Sequence, residues 1–375
     1  METKLVKLGD IISLNYGKSL TKKNRIPGNV PVYGSSGITD YHDKPLVDAP
    51  SLIIGRKGSI GSVFLSEVPF YPIDTTYFAK ESDLNGLDLH FAYYFLKFLP
   101  LSEMNTDSAV PGLNRNNFYS LDVVIPDIKS QKIIAFLLDQ ISYKIKINQQ
   151  INKNLLKLID NIYIREYFAN SQVVLADHVA LSDLVQTKTK TFNPKKTSET
   201  LVNHFSMPAF DEAHYPIIDK VTSIKSTKNI VEPFSVLVSK MNPQVKRVWL
   251  PNISDKILNV ASTEFLTFTA DSAEMQAFIY AIVNNKSYKQ FLMSNTTGST
   301  NSRQRVLPQV AYSFEIAFNR IKAERLGKLL VPFLEKIKLT KSEIQRLKKL
   351  RALLLPKLLS GSMDLSSMEE AIKNA

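Results

Sequence analysis

The chain has 375 residues, 44% of them hydrophobic and 22% charged, which is the composition of a globular protein with two to three domains. It contains no cysteine, and this excludes disulfides, cysteine-ligated zinc, iron–sulfur clusters and thiol catalysis. Lys and Arg number 47 against 35 Asp and Glu, and the net charge of +12 favours a polyanionic partner, nucleic acid before an anionic membrane surface. The alternative is that the positive charge only reflects the many lysine codons of an AT-rich genome.

No apolar run approaches the roughly 18–20 residues that a membrane span needs. Residues 1–7 show neither the apolar h-region nor the cleavage site of a signal peptide. We therefore expect an intracellular protein of the prokaryotic cytoplasm, without a membrane partner.

The first predicted globular region covers residues 1–127 and mixes strands with helices. Apolar residues 51–55 and 63–65 predict two strands around a glycine-rich turn. The turn contains no GxGxxG and no helical pattern follows it, so it is not a dinucleotide-binding loop. It predicts a tight hairpin that projects Arg56 and Lys57.

Residues 128–168 are predicted to form one long helix, because apolar residues recur at alternating steps of three and four, as in a coiled coil. The seam begins at Ile134. Its two polar members, Lys144 and Asn148, are expected either to fix the register of a helix pair or to lie where the helix meets a partner. The further apolar members are Leu137, Ile141, Ile151, Leu155, Leu158 and Ile162.

The second half repeats the first. The pattern apolar-x-Leu-small-Asp-apolar-apolar of residues 6–12 returns in residues 179–185, an offset of 173. A second globular region is predicted over 169–318, a second long helix over 319–360 and a short tail over 361–375. Pro332 is expected either to begin the long helical segment or to kink it. Each member of the second seam lies 192 residues after an apolar residue of the first helix, and these members are Leu329, Phe333, Ile337, Leu347, Leu350 and Leu354.

An amphipathic helix of this length needs a partner for its apolar seam, and the second helix carries the matching seam. We predict an α+β protein in which two globular domains are separated by two long helices. The helices are expected to pack as an antiparallel coiled coil, which gives the internal repeat a pseudo-two-fold axis. The alternative is that each helix packs on its own globular region.

The sequence shows no catalytic centre and no metal site. Gly17-Lys18-Ser19 lacks the glycine that a phosphate-binding loop carries five positions earlier. The five histidines form no HExxH pair, and neither a GxSxG elbow nor the Pro-Pro-aromatic step of an amino-methyltransferase is present.

Two stretches of the first half resemble the specificity (S) subunit of type I restriction–modification enzymes. The first is Ile53-Ile54-Gly55-Arg56-Lys57-Gly58-Ser59-Ile60-Gly61 with residues 70–77. The second is Val110-Pro111-Gly112-Leu113-Asn114-Arg115-Asn116, which leads through Pro126 and Gln131 into the long helix.

The second half resembles another common recognition-domain type of the same family. The resemblance lies in residues 238–243, 247–250, 298–300 and 302–306. It covers nearly the whole chain, and the order of globular regions and helices matches the family. Members often carry Pro-Pro-Leu-x-Glu-Gln before each helix, and the second copy lacks this step, which leaves the start of the second helix open.

The resemblance implies that each globular region is a target recognition domain that reads one half of a split site in double-stranded DNA. The helices are then expected to set the spacing of the halves and to dock methyltransferase (M) subunits, and restriction (R) subunits join that core. The family implies a chain that is not an enzyme and holds no cofactor, because its partner subunits use S-adenosylmethionine, ATP and Mg.

Phosphate and base contacts should come from Arg, Lys, Asn, Gln and Ser side chains on loops. For each position the alternative is a solvated charge or a structural role in a turn. The candidates in the first region are Lys18, Arg56, Lys57, Asn114, Arg115 and Asn116. The candidates in the second region are Lys240, Lys246, Arg247, Ser302, Arg303, Gln304 and Arg305.

Two other functions remain open at this point. One is a stand-alone restriction or modification enzyme, against which the missing motifs argue. The other is a coiled-coil adaptor without sequence-specific DNA binding, which predicts little salt dependence of any affinity for nucleic acid.

Overall fold

The computed structural model describes residues 2–104, 112–169, 177–254, 256–297, 304–360, 363 and 365. The chain forms two compact units. Unit 1 consists of Met1–Lys144 and Leu347–Ala375, and unit 2 of Ile145–Arg346. Each unit therefore contains one of the predicted globular regions together with part of both long helices.

Unit 1 contains three sheets in its described part, with the strand orders β2-β8-β5-β6, β4-β3-β7 and β1-β9. The strands are β1 (Thr3–Lys7), β2 (Asn15–Tyr16), β3 (Val30–Gly34), β4 (Gly37–His42), β5 (Ser51–Gly55), β6 (Val63–Ser66), β7 (Tyr71–Pro72), β8 (Thr76–Lys80) and β9 (Asp122–Pro126). The helices are α1 (Leu8–Ile11), α2 (Leu89–Phe98), α3 (Arg115–Ser120), the first part of α4 (Ile128–Tyr163) and the last part of α9 (Arg320–Leu359).

The core of unit 1 lies between β5, α2 and the two long helices. Strand β5 is buried at all five positions because its apolar run is covered on both faces. Helix α2 begins after Asp88, whose carboxylate accepts a hydrogen bond from the amide of Phe91. Phe91 packs in one cluster with Leu138 of α4 and Leu358 of α9. Both long helices therefore complete this core.

Unit 2 also contains three sheets in its described part, ordered β11-β14-β17-β12-β13, β16-β15-β18 and β10-β19. The strands are β10 (His178–Ala180), β11 (Thr191–Phe192), β12 (Leu201–Phe205), β13 (Ile217–Lys220), β14 (Lys228–Ile230), β15 (Ser235–Ser239), β16 (Val248–Trp249), β17 (Leu258–Ala261), β18 (Phe265–Thr269) and β19 (Glu315–Ala317). The helices besides α4 and α9 are α5 (Met207–Ala213), α6 (Ala273–Asn284), α7 (Lys286–Ser294) and α8 (Pro308–Tyr312).

The sheets confirm the α+β class and the internal repeat. Strand β5 pairs antiparallel with β6 and β8, and β15 pairs in the same way with β16 and β18. The two-stranded ribbons β1–β9 and β10–β19 also correspond, because Val6 opposes Val123 where Val179 opposes Ile316. Each unit also contains a parallel pair, β3 with β7 in unit 1 and β12 with β17 in unit 2.

The long helices pair antiparallel within each unit. In unit 1 Arg351 Nη1 donates to Ser142 Oγ over 3.0 Å. In unit 2 Asn148 Nδ2 donates to Glu343 Oε2 over 2.9 Å. Further along, the hydroxyl of Thr340 bonds Asn152. Residue numbers on α9 fall as those on α4 rise, so the pairing is the antiparallel one that the seams predict.

The buried line on the helices is shifted from the predicted seam, and four seam predictions are wrong, because the Lys144 side chain and three leucines are exposed. Leu158 is 41% exposed, Leu329 49% and Leu350 42%. Ile337 is buried, and the half-buried predicted members are Leu137, Ile141, Ile151, Leu155, Ile162, Phe333, Leu347 and Leu354. The buried residues of α4 include Gln131, Ile134, Leu138, Ile145, Asn148, Asn152, Ile159 and Tyr163.

The shift has a physical cause. A helix with 3.6 residues per turn drifts against a 3.5-residue repeat, and here the helices also bury a face against the globular parts. Tyr163 packs in the same cluster as Phe278 of α6. The helices therefore pair with each other and also pack on the globular regions, the first helix on its own region through Leu138 and on the second region through Tyr163. Asn148, predicted to lie in the seam, is 2% exposed and bonded to Glu343.

Pro332 lies inside α9, which begins at Arg320, so it does not begin the helical segment. Its ring removes one backbone donor, and its exposed position leaves the opposite face of the helix free to pack. No helix in the described part of the chain is both long and apolar enough to cross a membrane.

Candidate nucleic-acid interface

The first candidate site lies in unit 1, where β5 ends. The backbone amides of Arg56 and Lys57 both donate to the carbonyl of Thr75, over 2.9 and 3.1 Å. The turn closes through two glycines with positive φ, and a Cβ on Gly61 would lie 2.6 Å from the backbone of Leu101. Glycine is required there because a side chain has no room. The turn is the predicted tight hairpin, and it fixes the backbone of both cations.

A second segment, distant in sequence, joins this turn. Gly112 forms an antiparallel bridge with Lys57, and the amide of Leu113 donates to the carbonyl of Arg56 over 2.8 Å. The buried hydroxyl of Tyr77 donates to the carbonyl of Leu113. The fold thereby brings the two stretches that carried the family resemblance into direct contact.

Helix α3 begins directly after this junction. The side-chain oxygen of Asn114 accepts hydrogen bonds from the amides of Asn116 and Asn117, over 2.8 and 3.4 Å. Asn114 is therefore the N-cap of α3, and its oxygen already has a structural role. Asn116 is exposed in the first turn of the helix.

These elements enclose a cleft of about 440 Å³. We call it the arginine cleft, and its lining residues are Tyr16, Arg56, Lys57, Tyr77, Gly112, Leu113, Asn114, Arg115 and Asn116. The guanidinium carbons of Arg56 and Arg115 lie 4.9 and 5.1 Å from the ring centroid of Tyr16. This is the distance of a cation–π contact, which holds both guanidinium groups at the same ring.

The cations of the arginine cleft have no carboxylate partner among the residues that the structure describes. No ion pair there includes Arg56, Lys57 or Arg115. Arg56 Nη1 donates to the carbonyl of Asp74 over 3.2 Å, and Arg115 Nε is buried without a hydrogen-bond partner in the described part of the chain. The cleft therefore offers several donors to a ligand with acceptor oxygens or nitrogens.

Lys18 stands beside the arginine cleft and does not line it. Its side chain is exposed, and its backbone amide donates to the carbonyl of Pro72 over 3.0 Å. Five of the six candidates in unit 1 thus lie in one cleft, and the sixth lies at a neighbouring turn.

Unit 2 builds the same backbone junction after β15. The amide of Lys240 donates to the carbonyl of Glu264 over 3.0 Å, as Arg56 does to Thr75. The amide of Val306 donates to the carbonyl of Lys240 over 2.9 Å, and Met241 bridges Arg305. Lys240, Gln304 and Arg305 therefore come together, and α8 follows as α3 does in unit 1.

The side chains at this second junction are paired. Arg305 Nη2 and Nε contact the two carboxylate oxygens of Glu264 over 3.1 and 3.3 Å. Gln304 accepts a hydrogen bond from the side-chain amide of Gln244 over 3.2 Å. A bidentate arginine–carboxylate pair leaves fewer donors for a ligand than the cleft of unit 1 does.

Two other candidates in unit 2 have partners within the unit. Arg247 donates to both oxygens of Asp211 over 2.6 and 2.9 Å, and its guanidinium holds the pKa of that carboxyl below its usual value. Lys246 Nζ donates to the carbonyl of Asn284 over 3.0 Å. Both contacts fit the structural role that was the alternative at each position. Ser302 and Arg303 lie outside the described residues.

The sequence reasoning missed one further basic feature in each unit. Lys22 and Lys23 lie exposed in a turn that the Asn24 amide closes onto Thr21. Lys195 and Lys196 lie exposed in a turn closed onto Asn193. The signal was available, because the two Lys-Lys steps are separated by 173 residues, the same offset as the repeat of residues 6–12. We call them the lysine turns.

Known proteins resemble this chain in sequence and in fold. Residues 1–157 match the family model described as type I restriction modification DNA specificity domain. The type I restriction enzyme EcoprrI specificity subunit of Escherichia coli is 29% identical over 146 residues, which are 37% of this chain and 36% of that protein. The match thus spans about a third of the length of the curated relative.

The crystal structure of the type I restriction–modification system S subunit from M. genitalium superposes with a TM-score of 0.66. The alignment covers 96% of each chain at 17% identity, so it shows a shared fold over nearly the whole length. The resemblance inferred from the sequence motifs is confirmed. Residues 1–157 thus resemble the type I restriction modification DNA specificity domain family in sequence, and the whole chain shares the fold of the S subunit from M. genitalium.

Proposed function

We propose that this chain is the DNA-recognition subunit of a type I restriction–modification complex, and that each unit reads one half of a bipartite site in double-stranded DNA. The repeated junction after β5 and β15 carries the proposal. In both units a cation follows a buried strand and is held by a distant segment, so that polar side chains from two parts of the chain meet. Rigidly placed donors of this kind are what base-edge recognition requires.

Phosphate contacts complete such an interface, because they position a protein on DNA without reading sequence. The lysine turns suit this role, since they are exposed and present in both units. The net charge of +12 supports the same partner.

The long helices are proposed to fix the spacing between the half-sites. Polar contacts such as Asn148 with Glu343 and Ser142 with Arg351 select one register of the helix pair, because a shift would leave buried polar groups without partners. The helices also expose apolar residues, with Tyr143 at 61%, Leu339 at 67% and Leu353 at 66%. Such residues favour docking of a protein, here the M subunits.

In this proposal the chain is not catalytic and acts in the cytoplasm. The M subunits bring S-adenosylmethionine, and R subunits that use ATP and Mg join the complex. The chain itself only selects the DNA sequence at which these subunits act.

The test is a selection from random duplex DNA, with the chain alone and with its M subunit. We expect a split motif, two short unlike blocks around a fixed gap, and a linear loss of log affinity with log salt concentration. A folded chain that enriches no motif in either condition contradicts the proposal. Weak binding with little salt dependence would favour the coiled-coil adaptor instead.

A further inference from the structure

We propose that Arg56 and Arg115 of the arginine cleft together read the acceptor edge of a guanine in the half-site of unit 1, and that unit 2 lacks the equivalent contact. This inference rests on the proposed function, because it assigns a ligand group to a cleft that the proposal places at the DNA. It makes these two arginines the specificity-determining residues of unit 1.

The first step is that both guanidinium groups are held before a ligand arrives. Both lie about 5 Å from the ring centroid of Tyr16, at 4.9 and 5.1 Å. Arg56 also lies 5.7 Å from the ring of Tyr77, and Arg115 lies 5.9 Å from that of Tyr119. Stacking restricts these long side chains, so less conformational entropy is lost on binding.

The second step is that N–H donors of the two arginines remain available to a ligand. Arginine carries five N–H donors and no acceptor. Arg115 Nε is buried without a partner within the described residues, and no described carboxylate pairs with either arginine. A buried donor without an acceptor is unfavourable, so a ligand that supplies acceptors gains by entering.

The third step concerns the kind of acceptor. Guanine O6 and N7 and the oxygens of a phosphate both match a guanidinium fork. The cleft is lined by the two tyrosine rings and the exposed Asn116 side chain, which suits a flat base edge. The lysine turns already offer compact charges to phosphates. The arrangement therefore favours the base edge as the ligand. The experiment must distinguish this from binding of a phosphate.

The fourth step is the contrast with unit 2. Strand β2 carries Tyr16 beside Tyr77, whereas the corresponding edge of β18 in the described part of unit 2 has only a single bridge, between Gln186 and Thr269. The register of β15 and β18 places Leu266 where unit 1 has Tyr77. Arg305 stands where unit 1 has Gly112, and Glu264 pairs with it. Within its described residues, the junction of unit 2 thus has neither an aromatic ring in the place of Tyr16 nor an arginine without a carboxylate partner.

The experiment compares the full chain with Arg115→Lys and Arg56→Lys, each in complex with the M subunit, by selection from random duplex DNA and by affinity at several salt concentrations. Lysine keeps the charge and loses the fork and its stacking. We expect each variant to lose about 10- to 100-fold of the discrimination for guanine at one position of one block. The other block and the salt slope should stay unchanged.

The matched control is Arg165→Lys, an exposed arginine paired with Glu166 at the end of the first long helix, which should keep the whole motif. A thermal melt of each variant shows whether it folds, and Arg56→Lys still tests the cleft should Arg115→Lys unfold. If neither folds, Tyr16→Leu, which removes the ring at a half-exposed position, is expected to weaken the same guanine preference.

Three outcomes overturn the inference. Uniform weakening on all sequences by Arg115→Lys, together with a salt slope reduced by about one in an additional Arg115→Ala variant, assigns the cleft to a phosphate. An unchanged split motif in folded variants removes the cleft from recognition while the proposed function stands. No motif with the wild-type chain contradicts the proposed function itself.

Discussion

The junctions after β5 and β15 have the same main-chain hydrogen bonds and differ in the side chains around them. In unit 1 the carbonyl of Arg56 accepts the amide of Leu113, and the arginines around it have no described carboxylate partner. In unit 2 the carbonyl of Lys240 accepts the amide of Val306, and Arg305 is held by Glu264. A repeated framework can therefore present two chemically different surfaces, because hydrogen bonds of the main chain do not depend on the side chains around them.

The largest effect is expected where the junction of unit 1 depends on packing. Leu113 is 2% exposed, and Leu113→Ala removes its contacts with the core. We expect a loss of about 3 kcal/mol in the free energy of unfolding, and weakened selection of one block of the motif. Urea unfolding followed by DNA selection measures both. Val306→Ala is the matched change in unit 2 and should affect the other block.

The lysine turns test whether the units share a way of binding phosphate. We expect Lys22→Gln with Lys23→Gln, and separately Lys195→Gln with Lys196→Gln, to lower affinity about tenfold on every sequence. Each pair should reduce the slope of log affinity against log salt by about 2, because two phosphate contacts are lost. A pair that changes the motif and keeps the slope would contradict a phosphate role.

Removing one carboxylate charge should make the junction of unit 2 more like that of unit 1, with an arginine that has no carboxylate partner. Glu264→Gln removes the carboxylate that pairs Arg305 and leaves that arginine free to contact DNA. We expect an affinity about fivefold higher and a steeper salt slope by about 1. The paired variant Glu264→Gln with Arg305→Gln should lose this gain. Fluorescence anisotropy on one duplex at several salt concentrations measures the change.

The smallest effect concerns the Arg247–Asp211 pair of unit 2. Because the pKa of Asp211 is lowered in the folded state, its contribution is present above the unfolded pKa near 3.8 and is lost as pH falls through the folded pKa. The carboxylate is half exposed, so Asp211→Asn should cost only about 0.5 kcal/mol at pH 7. The difference between variant and wild type should be smaller at pH 3 than at pH 7, because part of the carboxyl is then protonated. An equal difference at both pH values would show that packing, not charge, is lost.

Sequence reasoning predicted the repeated features well, because periodicity and local motifs survive without knowledge of the fold. The antiparallel helix pair and the hairpin at Arg56 were predicted in this way. Sequence reasoning did not predict which line of residues on the helices is buried. Leu158 and Leu329 are apolar and exposed, while Asn148 and Asn152 are polar and buried. Which of two adjacent apolar lines is buried depends on packing against the globular parts.

The candidate site shows the same limit. Arg56 and Arg115 are 59 positions apart, and their shared contact with Tyr16 depends on the pairing of β2 with β8. Likewise, nothing local distinguishes Arg247, held by Asp211, from an arginine that is free for a ligand. Long-range pairing decides both cases, and a single sequence does not display it.

Unit 1 is built from two separate stretches of chain, whereas unit 2 is one continuous stretch. During synthesis from the ribosome, residues 1–144 emerge first, yet the core that they form includes Leu358 and Leu359 of the last helical turns. Unit 2 has all of its residues available before those leucines are made. The domain translated first is thus completed last, so a ribosome that stops near residue 346 would release a chain with one finished recognition unit and one whose core lacks its final leucines.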